Sequence, residues 1–111
     1  MSEVPTVRVV DLPADLPEDF VLLDVREDDE WQAGHAPGAL HVPLGQVPAR
    51  LGEIPDGEVH VICRSGGRSG QAVAWLTRNG YDVVNVDGGM HAWVDAGRPV
   101  VSETGAEPFV R

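Results

Sequence analysis

Residues 61–76 read VICRSGGRSGQAVAWL, an apolar β-type end, a joint rich in glycine and arginine, and a helix-type segment, with the chain's single cysteine, Cys63, at the joint. Val59 to Ile62 is short and valine-rich, as a strand covered on both faces requires. From Gly70 to Asn79 the apolar residues Ala72, Val73 and Leu76, with Trp75 at the margin, recur at helical spacing and form one inward stripe. Gly80 then supplies a C-terminal stop. A strand, a tight loop and a helix in this order form the first half of a parallel crossover. They place Cys63 at the C-terminal end of a strand, where open α/β sheets bind their ligands.

Outward from this unit, the same alternation fills the chain. Val7 to Val10, Phe20 to Val25, Leu40 to Val42 and Val83 to Val86 read as further strands, and Asp28 to Ala33, Gly45 to Leu51 and Met90 to Ala96 as further helices, with Gly and Pro at the joints. The expectation is an α/β domain with a mostly parallel sheet of about five strands, flanked by helices on both faces. The 111 residues suit one domain with one modest core. Its core is expected over about 5–100, with Ser102 to Arg111 as a loosely held end.

Composition narrows the function classes. Eight Lys+Arg against 18 Asp+Glu give a formal charge of −10, and all eight cations are arginine. Such a surface repels nucleic acid and anionic lipid, so an anionic substrate has to be captured locally. No apolar run reaches the ~18 residues of a membrane span. One cysteine makes no internal disulfide, and the start, MSEVPTVRVVDLP, lacks the basic and apolar regions of a secretion signal. The expected location is the cytoplasm.

The loop after Cys63 holds Arg64, Ser65, Gly66, Gly67, Arg68 and Ser69. Two glycines let the backbone curl so that successive N–H groups point inward, and Ser69 is expected to cap the following helix. Backbone N–H groups, a helix N-terminus and flanking arginines all favour thiolate over thiol, which makes Cys63 a candidate nucleophile inside an anion nest. The bland alternative is a core thiol acting as a small hydrophobe. A purely structural connection has little reason to gather anion-binding groups around one sulfur, and this favours the functional reading.

The stretch resembles the active-site loop of the rhodanese superfamily of sulfurtransferases. Upstream, LLDVREDDEWQAGHAPGALHVPL is similar to the family's first signature at Asp24, Arg26, Glu30, Gly34, His35, Pro37, Gly38 and Ala39. Downstream, VDGGMHAWVDAGRPV is similar to its closing signature at Gly88, Gly89, Trp93, Gly97 and Pro99. The resemblance implies that Cys63 takes a sulfane sulfur from thiosulfate or a similar donor, carries it as a persulfide, and passes it to cyanide or a thiol. It also implies acceptors such as glutathione or thioredoxin-like and other sulfur-relay proteins, and neither metal nor organic cofactor. In that reading Arg64 and Arg68 attract the sulfonate end of the donor, while the N–H groups from Ser65 to Ser69 hold the persulfide.

Two other functions fit parts of the pattern. Phosphatase or arsenate reductase relatives of this fold have five residues between cysteine and arginine, whereas four separate Cys63 from Arg68, a smaller ring better suited to sulfur. A non-catalytic binding module is the other, although this chain keeps its cysteine and loop. Asp24 and Arg26 are expected to pair with each other or with neighbouring loops, as a salt bridge that fixes the site's rim rather than as direct chemistry, and His35 to fasten a loop. His41, His60 and His91 lack metal-ligand spacing. Gly88 and Gly89 suit a tight turn near the site, and Trp31, Trp75 and Trp93 are expected as packing anchors.

Overall fold

A computed structural model describes residues 4–111. The N-terminal stretch read as lacking a secretion signal therefore falls partly on residues 1–3, outside the described residues. Five strands, β1 (Thr6–Arg8), β2 (Val21–Asp24), β3 (Leu40–His41), β4 (Val59–Ile62) and β5 (Val83–Asp87), form one parallel sheet in the order β1-β5-β4-β2-β3. Every residue of the central β4 is buried, as expected of a strand covered on both faces.

Side-chain alternation along the strands divides the core in two. On one face Leu23, Val25, Val59, Val61, Cys63 and Val83 pack with Val47, Ile54 and the stripe Ala72, Val73 and Leu76 of helix α2 (Gly67–Arg78). On the other, Leu22, Ile62 and Val86 pack with Val9, Leu12, Ala36 and with Met90 and Trp93 of helix α3 (Gly89–Asp95). Register pairs Asp24 with Ile62 and Val61 with Asn85. The C-terminal ends of β2, β4 and β5 therefore lie side by side, and the loops leaving them share one rim.

Helix α1 occupies Asp28–Ala33, as expected. Its three first-turn carboxylates favour the positive end of the helix dipole, and Glu30 Oε1 accepts a 3.0 Å hydrogen bond from the Glu27 N–H.

Several expectations need correction. The helix expected over Gly45 to Leu51 is two separate 3-10 turns, Leu44–Gln46 and Leu51–Glu53, because Gly45, Pro48 and Gly52 break any longer ladder. The first strand ends at Arg8, and Val9–Asp11 turns away so that Val9 enters the core. Helix α2 begins at Gly67 rather than Gly70, which puts Ser69 inside its first turn and leaves Gly66, not Ser69, at the N-cap. The segment Ser102 to Arg111, read as a loose end, returns over α1. The Glu103 N–H donates to the Gln32 carbonyl (2.9 Å), the Phe109 N–H to the Ala33 carbonyl (3.1 Å), and Arg111 pairs with Asp29 (2.9 Å). At Gly34 a side chain would collide with the Phe109 backbone, so this tail passes only because residue 34 has none.

Candidate active site

Cys63 leaves β4 pointing into the α2 face of the sheet and is 1% exposed. Burial and activation are not alternatives here: the thiol belongs to the core cluster and sits in the nest as well. Gly66 adopts φ +117°, a left-handed conformation that favours glycine, and this reverses the chain so that its own N–H points back at the sulfur, 3.1 Å from Sγ. Ser69 Oγ lies 3.3 Å from Sγ. Burial pushes the thiol up, but hydrogen bonds from the Ser69 hydroxyl and from the Ser69, Gly66 and Ser65 N–H groups outweigh it, and the balance lies below the ordinary cysteine value. The cradle expected of the loop therefore acts mainly through hydrogen-bond donors.

The two arginines differ in setting. Arg64 is exposed, and its side chain makes no hydrogen bond or ion pair among the described residues. Arg68 is clasped by Glu30 of α1, Nη1 to Oε1 at 2.6 Å and Nη2 to Oε2 at 2.9 Å. This fork holds the Glu30 carboxyl down at about 2 against the cost of its burial, and raises the already high value of Arg68, which also feels the charge of Cys63. The cationic character expected of Arg68 is thus shared with a carboxylate 38 positions away. Side-chain exposure is 33% for Arg68 and 13% for Glu30, so the pair stands beside the loop with the arginine side chain partly open to solvent.

Asp24 and Arg26 do pair, but beneath the rim rather than on it, and both are buried. Arg26 Nε reaches Asp24 Oδ1 at 3.0 Å, and Nη2 reaches Oδ2 and the Gly34 carbonyl, each at 2.8 Å. The same arginine's carbonyl accepts from His41 Nε2 at 2.8 Å. His35 fastens its loop as expected, with Nδ1 3.0 Å from the Ala36 carbonyl and Nε2 2.7 Å from Glu103. Trp31 is stacked between His35 and His41, with centroids 3.6 and 4.7 Å away, and Trp93 is buried with Nε1 donating to the Pro99 carbonyl. Among the described residues no cluster of three or more His, Cys, Asp or Glu side chains is placed to hold a metal, and no helix is long and apolar enough to cross a membrane.

Three contributions escaped the reading of the sequence. Glu30 was visible only as a signature residue, and nothing local joins it to Arg68. Asn85 of β5 lies beside the nest, with its Oδ1 2.6 Å from Ser69 Oγ. The start of α3 supports the loop from behind, the Met90 N–H donating to the Cys63 carbonyl (2.8 Å) and the His91 N–H to the Arg64 carbonyl (3.1 Å). Gly88 caps this helix and Gly89 opens it, at φ +79° and +57°, and a side chain at Gly89 would run into the Cys63 and Arg64 carbonyls. A glycine pair just after a strand was the signal that marked this approach.

Comparison with known proteins agrees with this geometry. Residues 9–96 match the rhodanese-like domain family. A protein named sulfurtransferase from Allochromatium vinosum is 44% identical over 90 residues, which are 79% of this chain and 84% of the relative. A putative sulfur carrier protein, YrkF, from Bacillus subtilis is 41% identical over 81 residues, 71% of this chain but 44% of that longer protein. Among solved structures, a rhodanese-related protein from Thermoplasma volcanium superposes with a TM-score of 0.80 at 31% identity, covering 87% of this chain and 97% of the other.

Proposed function

The chain belongs to the rhodanese-like domain family, and from that premise we propose that it transfers sulfane sulfur through a persulfide on Cys63, with thiosulfate as donor. The observation that carries the reading is the buried Cys63 sulfur held among hydrogen-bond donors at the mouth of a glycine-bent loop. Sulfur transfer keeps negative charge on sulfur from start to finish, so it needs fixed donors around one atom rather than a general acid or base.

In this reaction the Cys63 thiolate attacks the outer sulfur of thiosulfate. A new S–S bond forms, the bond to the sulfonate sulfur breaks, and sulfite leaves with its electron pair. The negative charge moves to the outer sulfur of the persulfide, within reach of the N–H groups of residues 65–69. Cyanide or a thiolate then attacks that outer sulfur and returns Cys63 to the thiolate. Arg64, exposed and unshared, and Arg68, held by Glu30, draw the sulfonate end of the donor towards the loop.

The match to a putative sulfur carrier protein supports a second reading of the acceptor, in which a relay protein rather than a small molecule removes the sulfur. A cytoplasmic setting, with its reduced thiols, suits either acceptor.

Thiocyanate formation from thiosulfate and cyanide tests the proposal. The wild-type chain should turn over, and Cys63→Ser should fall to background with its fold intact, because a hydroxyl forms no persulfide. Turnover by the serine variant would exclude the covalent route.

A further inference from the structure

The hydrogen bonds around Ser69 do not close as they stand. Its hydroxyl carries one proton and has three acceptors in reach: Cys63 Sγ at 3.3 Å, the Gly66 carbonyl at 3.2 Å and Asn85 Oδ1 at 2.6 Å. The shortest of these, to Asn85, competes with the sulfur for that one proton. Cys63, Ser69 and Asn85 are buried, Ser69 0% and Asn85 7% exposed, while Gly66 is half-buried. Asn85 also shares the face of the sheet that carries Cys63, since it pairs in register with Val61, two residues before the cysteine.

An asparagine amide presents an acceptor on one side and a donor on the other, and their assignment follows the network around them. Turned over, Asn85 places its NH2 against Ser69 Oγ and donates to it. The hydroxyl proton is then free to point at Cys63. The turn exchanges the Asn85 Nδ2 contact to the Gly66 carbonyl, the longest of the set at 3.4 Å, for an approach of Oδ1 to that same oxygen, a cost limited by the length of the contact and by the Gly70 N–H that the carbonyl keeps at 3.0 Å. The two orientations therefore differ chiefly in whether Asn85 competes with the sulfur for the hydroxyl proton or leaves that proton to it.

We propose that Asn85 is a positioning residue for the Cys63 nucleophile, its amide turning over to deliver the Ser69 hydroxyl to the thiolate and turning back when the sulfur loses its charge. With the thiolate present, an anionic acceptor rewards the orientation in which Ser69 points at sulfur. Once Sγ is bonded to a second sulfur it is neutral and a weak acceptor, and the Ser69 proton returns to Asn85 Oδ1. No proton is gained or lost by the pair, and no bond other than hydrogen bonds changes. Only the return step rests on the sulfur-transfer reading; delivery to the thiolate stands without it.

The test is the pH profile of Cys63 alkylation by iodoacetamide, which reads thiolate with no sulfur donor present, in wild type, Ser69→Ala, Asn85→Asp and the double variant. Ser69→Ala should raise the midpoint by about one pH unit, a tenfold loss of thiolate at lower pH. Asn85→Asp should raise it further, because a carboxylate keeps the hydroxyl proton and adds a like charge. In the double variant only the charge effect of Asp remains to be added, so its shift should fall short of the sum of the single shifts by about one unit. Additive shifts would overturn the proposal, since Asn85 would then act on the sulfur through charge alone. A second readout needs no folded variant: in the 15N-labelled wild-type chain the Asn85 side-chain NH2 resonances should move with the alkylation midpoint, and resonances that stay fixed through it would also overturn the proposal. If the alkylation results hold while thiosulfate gives no transfer, the function proposed above fails and the role of Asn85 survives.

Discussion

Two arginine–carboxylate forks lie near the same end of the sheet, and they serve different ends. In Asp24–Arg26 both side chains are essentially unexposed, and the guanidinium spends its remaining reach on the Gly34 carbonyl, with Nη1 left without a partner among the described residues. In Glu30–Arg68 the arginine side chain is a third exposed, beside the loop that follows Cys63. Chemistry and geometry are nearly shared; burial is not. The difference teaches that a motif arginine becomes architecture when nothing can reach it, and becomes part of an anion site when one side stays open to solvent.

Breaking the buried fork should have the largest effect. Asp24→Ala leaves the Arg26 charge enclosed without its partner, a loss of about 3–5 kcal/mol that consumes much of a small domain's stability. Urea or thermal unfolding reads it directly, and a near wild-type midpoint would mean that Arg26 escapes to solvent. Arg68→Ala should leave folding nearly unchanged but strand the Glu30 carboxylate beside the loop, raising KM for thiosulfate about tenfold or more with a smaller effect on kcat. An equal fall in kcat would move Arg68 from donor capture to the reaction itself.

Glu30→Gln sharpens the contrast further. The amide oxygen still accepts from Arg68, while the loop gains one unit of positive character, so KM for thiosulfate should fall about two- to fivefold, an advantage that salt should erase. A raised KM would show that Glu30 serves by holding Arg68 still rather than by tempering its charge. The smallest effect is acid sensitivity. The Glu30 carboxyl is depressed in the folded chain from 4.5 to about 2, so its contribution to stability is complete above about pH 4.5 and is lost as pH falls towards 2. Urea midpoints of wild type and Glu30→Gln should therefore converge across that window, and parallel curves would mean that the fork adds nothing to stability.

How much of this was legible follows the physics of each feature. The central unit was readable because Val59 to Ile62 and the stripe Ala72, Val73 and Leu76 carry strand-type and helix-type burial within a few residues of each other. The nest was readable because glycine next to a cysteine is a local signal. Ser69 was recognised by type but expected in the wrong role. A serine beside a helix start suggests a cap, whereas the left-handed Gly66 starts the helix earlier and turns the hydroxyl onto the sulfur. Glu30 and Asn85 act across 38 and 16 positions through side chains that carry no periodicity, so only the fold brings them to the loop. The tail was obscured for another reason. Its hydrogen bonds to α1 from Glu103 and Phe109 run through backbone N–H groups, which every sequence supplies, and its polar, glycine- and proline-containing composition pointed the other way.

The central claim is that Cys63 carries the transferred sulfur covalently. Intact-protein mass spectrometry after incubation of the reduced chain with thiosulfate tests it most directly, with one portion alkylated at Cys63 beforehand and another treated with cyanide afterwards. The account predicts a gain of one sulfur atom that alkylation prevents and cyanide removes as thiocyanate. An unchanged mass on folded, reduced protein that still forms thiocyanate would contradict it.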